Sequence, residues 1–169
     1  MFDSCVLGVD PGVAKLGLAV VVRRDRRAEL RWAATIETPA DAREASRFRD
    51  LAEAVRGAID EHRPDAVAIE RIAWNRNQVS ALRVARATGV IMLVAAESAV
   101  GVEEYGPNEV KIAVTGAGNA DKRQVRDALA RIHGLRDVPT QADAADAVAV
   151  AITHLMGSRM RAAARSGSR

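Results

Sequence analysis

The chain has 169 residues, 49% of them apolar, and 25 basic against 22 acidic side chains leave a net charge of +3. That length favours one domain burying roughly 68–70% of its unfolded surface, and the apolar fraction excludes wholesale disorder. A lone Cys5 excludes a disulfide framework or a multi-cysteine zinc site, no apolar run reaches the ~18 residues of a membrane span, and the acid in MFDSCVLGVD does not suit a secretion signal, so a cytoplasmic protein is expected.

Residues 4–10, SCVLGVD, form an apolar run that ends in an acid, and 16–22, LGLAVVV, follow after a Pro-Gly turn. The pair predicts an antiparallel hairpin of strands covered on both faces. After the charged turn at 23–29, Leu30 to Ile36 alternates weakly and predicts a third strand. Asp41 to His62 carries apolar residues at helical spacing and is closed by Pro64. DAVAIE at 65–70 is a short buried strand that again ends in an acid. Gln78 to Ala96 predicts an Ala- and Val-rich helix, Val100 to Tyr105 a weak strand, and Pro107 to Val114 a helix with proline in its first turn. GAGNA is a loop, Asp121 to His133 a helix stopped by Gly134, and Ala142 to Met156 the last helix. The basic segment 157–169 reads as a disordered tail. The order β-β-β-α-β-α-β-α-α-α predicts an α/β fold, a five-stranded mixed sheet with helices on both faces.

Asp10 and Glu70 each end an apolar strand. If those strands are neighbours, both carboxylates stand at one sheet edge, where such sheets present ligands; each could also simply cap a turn. Asp143 and Asp146 in QADAADAVAVA are three residues apart, so they share a helix face walled by Ala and Val. One acid in a first turn is explained by the helix dipole or an N-cap; the second, on an apolar face, calls for a cation. Four carboxylates without histidine or thiolate partners suit a hard, oxygen-seeking ion such as Mg²⁺ or Mn²⁺. Two such ions in one site support hydrolysis of a phosphodiester. The three histidines, at 62, 133 and 154, are scattered and read as structural, and Cys5 as a core residue.

LGVDPGVAKLGLAVV, AIERIAWNRNQVSALRVARATGV, GAGNADKRQV and QADAADAVAVAITH resemble, in order, the successive motifs of the RuvC family of Holliday-junction resolvases, over residues 4 to 156. The resemblance implies an RNase H-like domain over 1–156 and a Mg²⁺-dependent homodimer that cuts symmetric strands of a four-way DNA junction. It implies Asp10, Glu70, Asp143 and Asp146 as catalytic, metal-holding carboxylates, with two ions per site. Lys111 and Lys122 match basic residues that support catalysis or hold DNA, with Arg123 beside them. The family often carries a junction-stacking aromatic three residues after the Glu; here that position is Ala73, and the aromatic is Trp74. Trp74 either takes over the stacking or packs against the helix start.

Only Lys15, Lys111 and Lys122 are lysines; the other bases are arginines, whose forks match phosphates, although GC-rich coding enriches arginine too. Arg76, Arg83 and Arg86 fall within about 80° on a helical wheel. With Arg71 they form a candidate DNA-facing stripe or else a solvated helix face. Two cuts on a two-fold junction call for a C2 dimer, with the small residues of 78–96 as the candidate interface. A junction branch-migration complex is a partner implied by the family alone. An RNase H-fold nuclease acting on RNA and an inert junction-binding module stay open as alternatives.

Overall fold

β-Branched and leucine-rich runs make the sheet, and the acids that end two of them mark where it opens to solvent. The computed structural model describes residues 4–25, 27–72 and 78–166, with side chains as far as residue 157. β1 (Ser4–Asp10), β2 (Lys15–Arg24) and β3 (Arg27–Glu37) form an antiparallel meander. α1 (Glu44–His62) leads to β4 (Ala66–Glu70), and α2 (Gln78–Glu97) to β5 (Gly101–Tyr105). Three helices follow: α3 (Pro107–Thr115), α4 (Lys122–Arg131) and α5 (Ala142–Ser166). The sheet order is β3-β2-β1-β4-β5, with β4 parallel to both β1 and β5. The expected mixed five-stranded architecture is observed, and strands begin or end within a few residues of their predicted limits.

Two cores flank the sheet. Leu7, Leu16, Leu18, Leu51, Ile59 and Ile91 belong to the core under α1 and α2. Val6, Val21, Val114, Leu129 and the Ala/Val run of α5 belong to the core on the other face. α5 is apolar almost all round because it is buried twice, by β1 and β2 below and by α3 and α4 above.

Three local features differ from the sequence reading. β3 shifts register between its pairs Val20–Trp32 and Val21–Leu30, leaving Arg31 as a bulged residue. The bulge reverses the alternation: Leu30 and Ala33 pack on the α5 side, while Trp32 and Ile36 pack on the α1–α2 side. That is why the alternation there is weak. α5 passes Met156, where the pattern predicts its end, and stays helical to Ser166, through most of the segment read as a tail. Its sequence GSRMRAAARS is rich in Ala and Arg, strong helix formers once a helix already precedes them. Asp121, read as the first residue of α4, is its N-cap: Asp121 accepts from the Gln124 amide, and the Gln124 side chain accepts from the Asp121 amide, both at 2.8 Å.

Candidate active site

The close approach of α5 to the sheet builds the site. A Cβ at Gly8 would overlap the Ala147 carbonyl oxygen, and one at Gly17 would overlap the Asp143 carbonyl oxygen. Only glycine lets the helix backbone lie directly on the strands. Gly17 is the ladder partner of Asp10, so this contact sets the first turn of α5 beside the end of β1. β1 and β4 run parallel with Val9 opposite Ile69, which brings Asp10 and Glu70 to neighbouring positions at one edge. Four acids from β1, β4 and α5 thus meet at the carboxyl ends of the parallel strands.

Their electrostatics confirm the proximity. Asp10 is half-buried, and burial, followed by the charges of Glu70, Asp146 and Asp143, pushes its carboxyl up to about 8. Lys122 opposes that shift. The Asp121–Gln124 capping box fixes Lys122 in the first turn of α4, where its Nζ donates to Asp146 Oδ2 at 2.6 Å. This hydrogen bond is the main cause of the raised Lys122 pKa, against the opposing effect of burial. Asp146 is 24% exposed and Lys122 70% exposed, so the pair is open on the lysine side. On the other flank, Lys15 at the start of β2 pairs with Glu37 at 2.9 Å.

Among the described residues, no group of three or more His, Cys, Asp or Glu side chains is closed into a metal cage. The donor chemistry nevertheless fits a hard cation: the acids are all carboxylates, and Asp10 resists ionisation because it is buried and because its neighbours are negative. A divalent ion relieves that repulsion, and Lys122 relieves part of it at Asp146.

The other predicted site residues are distributed differently. Arg71 is exposed just past β4, with its amide bonded to the Tyr105 carbonyl at 2.8 Å. Arg83 and Arg86 are tied to Glu44 of α1, at 3.7 and 2.8 Å. Their positive charge is thus shared with an acid 42 residues away in sequence from Arg86, a partner that no helical wheel of α2 reveals. Lys111 is half-buried on α3 and Arg123 exposed on α4; among the described residues neither makes an ion pair with the acids. Trp74 and Arg76 lie outside the described residues. His133 bonds the Val114 carbonyl and His154 the Tyr105 hydroxyl, in keeping with structural roles. Sequence reasoning missed Gly8 and Gly17; glycine inside an apolar strand was the available signal, since it marks a close backbone approach.

The family model for Crossover junction endodeoxyribonuclease RuvC matches residues 6–154. A relative of that name from Leifsonia xyli subsp. xyli is 42% identical over 164 residues, covering 96% of this chain and 79% of its own. One from Mycolicibacterium smegmatis is 43% identical and covers 94% and 88%. Among solved structures, Thermus thermophilus RuvC in complex with Holliday junction substrate superposes with a TM-score of 0.86 at 35% identity, covering 93% of this chain and 96% of that one. A yeast mitochondrial Holliday junction resolvase shares the fold at 14% identity, with a TM-score of 0.66.

Proposed function

The chain belongs to the RuvC family of crossover junction endodeoxyribonucleases, and from that premise we propose that it resolves four-way DNA junctions by paired symmetric nicks, in homologous recombination and repair. The observation that carries the reading is the meeting of Asp10, Glu70, Asp143 and Asp146 at one open edge with Lys122 on Asp146. In this reading the four carboxylates hold two Mg²⁺ ions, with Mn²⁺ able to substitute. The chemistry those ions supply when bound is activation of a water and stabilisation of the leaving oxygen.

The chain's own residues do the rest. The acids of β1 and β4 stand on sheet strands and the two of α5 on a helix packed against the sheet, so their spacing is rigid and the reacting phosphate is oriented before chemistry. Lys122 exchanges Asp146 for phosphate as the strand enters. Arg71, Lys111 and Arg123 give phosphate contacts around the edge, and Arg83 and Arg86 contribute as far as Glu44 releases them. Trp74 and Arg76, a few positions after Glu70 in the sequence, are assigned to junction DNA in this reading.

Two-fold cutting is served by a homodimer. α2 supports it: Val79, Leu82 and Leu93 are 61%, 53% and 59% exposed and fall within about 60° on its wheel. The interface this favours is made of large side chains. The alanines expected there, Ala81, Ala87 and Ala95, are buried toward the core instead, because the same close packing that suits a dimer also suits α1. α2 is long and apolar enough to cross a membrane by length and composition, but its inner side is core and Arg83 and Arg86 interrupt it. Action on chromosomal junctions sets the working location in the cytoplasm, and family membership alone supports docking of a branch-migration complex.

The test is cleavage of a synthetic four-way junction, with matched duplex and RNA, in Mg²⁺ and in chelator. Paired nicks restricted to the junction and to Mg²⁺ are expected; equal cutting of plain duplex, or preferential cutting of RNA, overturns the reading.

A further inference from the structure

The carboxylate edge carries a second ammonium that the reaction described above leaves unused. Lys15 opens β2, two residues before Gly17, the ladder partner of Asp10. Residues two apart on a strand point to the same sheet face. At Gly17 that face is the one carrying α5, because its Cβ direction meets the backbone of Asp143. Lys15 therefore rises on the α5 side, past the first turn of the helix, next to Asp143. Glu37, directly opposite on β3, shares this face and holds the Lys15 ammonium at 2.9 Å. The hydrogen bond to Glu37 and its charge raise the Lys15 pKa, and Asp143 adds a smaller contribution. Lys122 reaches Asp146 from α4, so the two lysines bracket the Asp143–Asp146 pair from opposite flanks.

A nucleic-acid backbone crossing these acids meets repulsion everywhere except at such cations. Both partners of the Lys15–Glu37 pair are more than half exposed, at 55% and 66%, and exposed pairs are weakly held and readily exchanged. An ammonium on a flexible stem is suited to follow a phosphate.

We propose that Lys15 is a phosphate contact on the β2–β3 flank of the active edge, held in reserve by Glu37 and released to the DNA strand that crosses the carboxylates. The proposal rests on the junction-nuclease reading. It differs from the role of Lys122, which already touches an acid of the site, because Lys15 touches none.

The experiment is binding of a labelled four-way junction in chelator, from about 50 to about 200 mM KCl, by the wild-type protein and the K15Q, K15R, E37Q and K15Q/E37Q variants. One lost phosphate contact on duplex lowers the slope of log affinity against log salt by close to 0.9, and K15Q is expected to show that loss with K15R restoring it. E37Q is expected to tighten binding, and to do so less when Lys15 is already gone. Equal thermal unfolding of all variants excludes a folding cause. A K15Q protein with the wild-type slope and affinity, or an E37Q effect of the same size in both backgrounds, overturns the proposal while leaving the nuclease reading intact. Failure of the wild-type protein itself to prefer the junction over duplex removes that reading, and is visible without any variant.

Discussion

On the α1–α2 side the core is built from Leu7, Leu16, Leu18, Leu51 and Ile91; on the α5 side the helix meets the strands through Ala147 and Ala151, over Gly8, and through the backbone of Asp143, over Gly17. The first packing keeps a full layer of side chains between helix and sheet. It buries much apolar area per residue, and stability scales with that area. The second brings helix backbone onto strand backbone, buries less per residue and fixes position. The carboxylates of α5 depend on the second kind. Small residues here set distance, and large residues opposite supply the free energy that keeps the distance set.

Substitutions can separate the two roles. The largest effect is expected at the acids: Asp10→Asn should abolish Mg²⁺-dependent cleavage while junction binding is unchanged or tighter, because the proposed site would lose a metal ligand and no DNA contact. Cleavage and gel-shift assays on one preparation check this. Gly17→Val comes next. Its side chain collides with the Asp143 carbonyl and lifts the start of α5, and a displacement near 1 Å at reacting groups can cost about 100-fold in rate. Single-turnover cleavage should fall by at least that factor with junction affinity nearly retained. Leu51→Ala, at a fully buried position of the other core, should cost about 2–5 kcal/mol of stability and leave the cleavage rate intact below the melting temperature. If Leu51→Ala slowed cleavage as much as Gly17→Val, the division between the faces would fail.

A pH effect on stability belongs to the α5 side. In metal-free protein the Asp10 carboxyl is raised from 3.8 to about 8. Between those values the folded state binds a proton that the unfolded chain has released, so stability is full below the lower value and is lost as pH climbs toward the upper one. Melting curves in chelator should show that decline, and Asp10→Asn should flatten it. The smallest effect is expected from Glu44→Gln on the α1–α2 side: exposed pairs are worth about 1 kcal/mol or less, and the cleavage rate should not move.

Much of this architecture is legible in the chain. Asp10 and Glu70 stand out because each follows an uninterrupted apolar run, and Asp143 and Asp146 because their spacing forces a shared face on an apolar helix. What sets the distance between these pairs is not legible in the same way. It depends on which strand lies under α5, and the ladder partner of Asp10 becomes known only with the register. Glu44 as the partner of Arg83 and Arg86 is likewise invisible to local periodicity, because α1 and α2 become neighbours only when both pack on the same face of the sheet. Helix limits misled at α5, where the small, basic segment after Met156 reads as a tail but its Ala and Arg residues sustain the helix to Ser166.

The bulge at Arg31 bears on how copies of this protein associate. β3 is an open sheet edge eleven residues long, and a flat edge of that length is a template on which another chain can add strands without limit. The extra residue twists the strand and sets an arginine into the row of backbone groups. Strand-by-strand polymerisation is thereby discouraged. Other surfaces, such as the exposed Val79, Leu82 and Leu93 of α2, are left open to a partner.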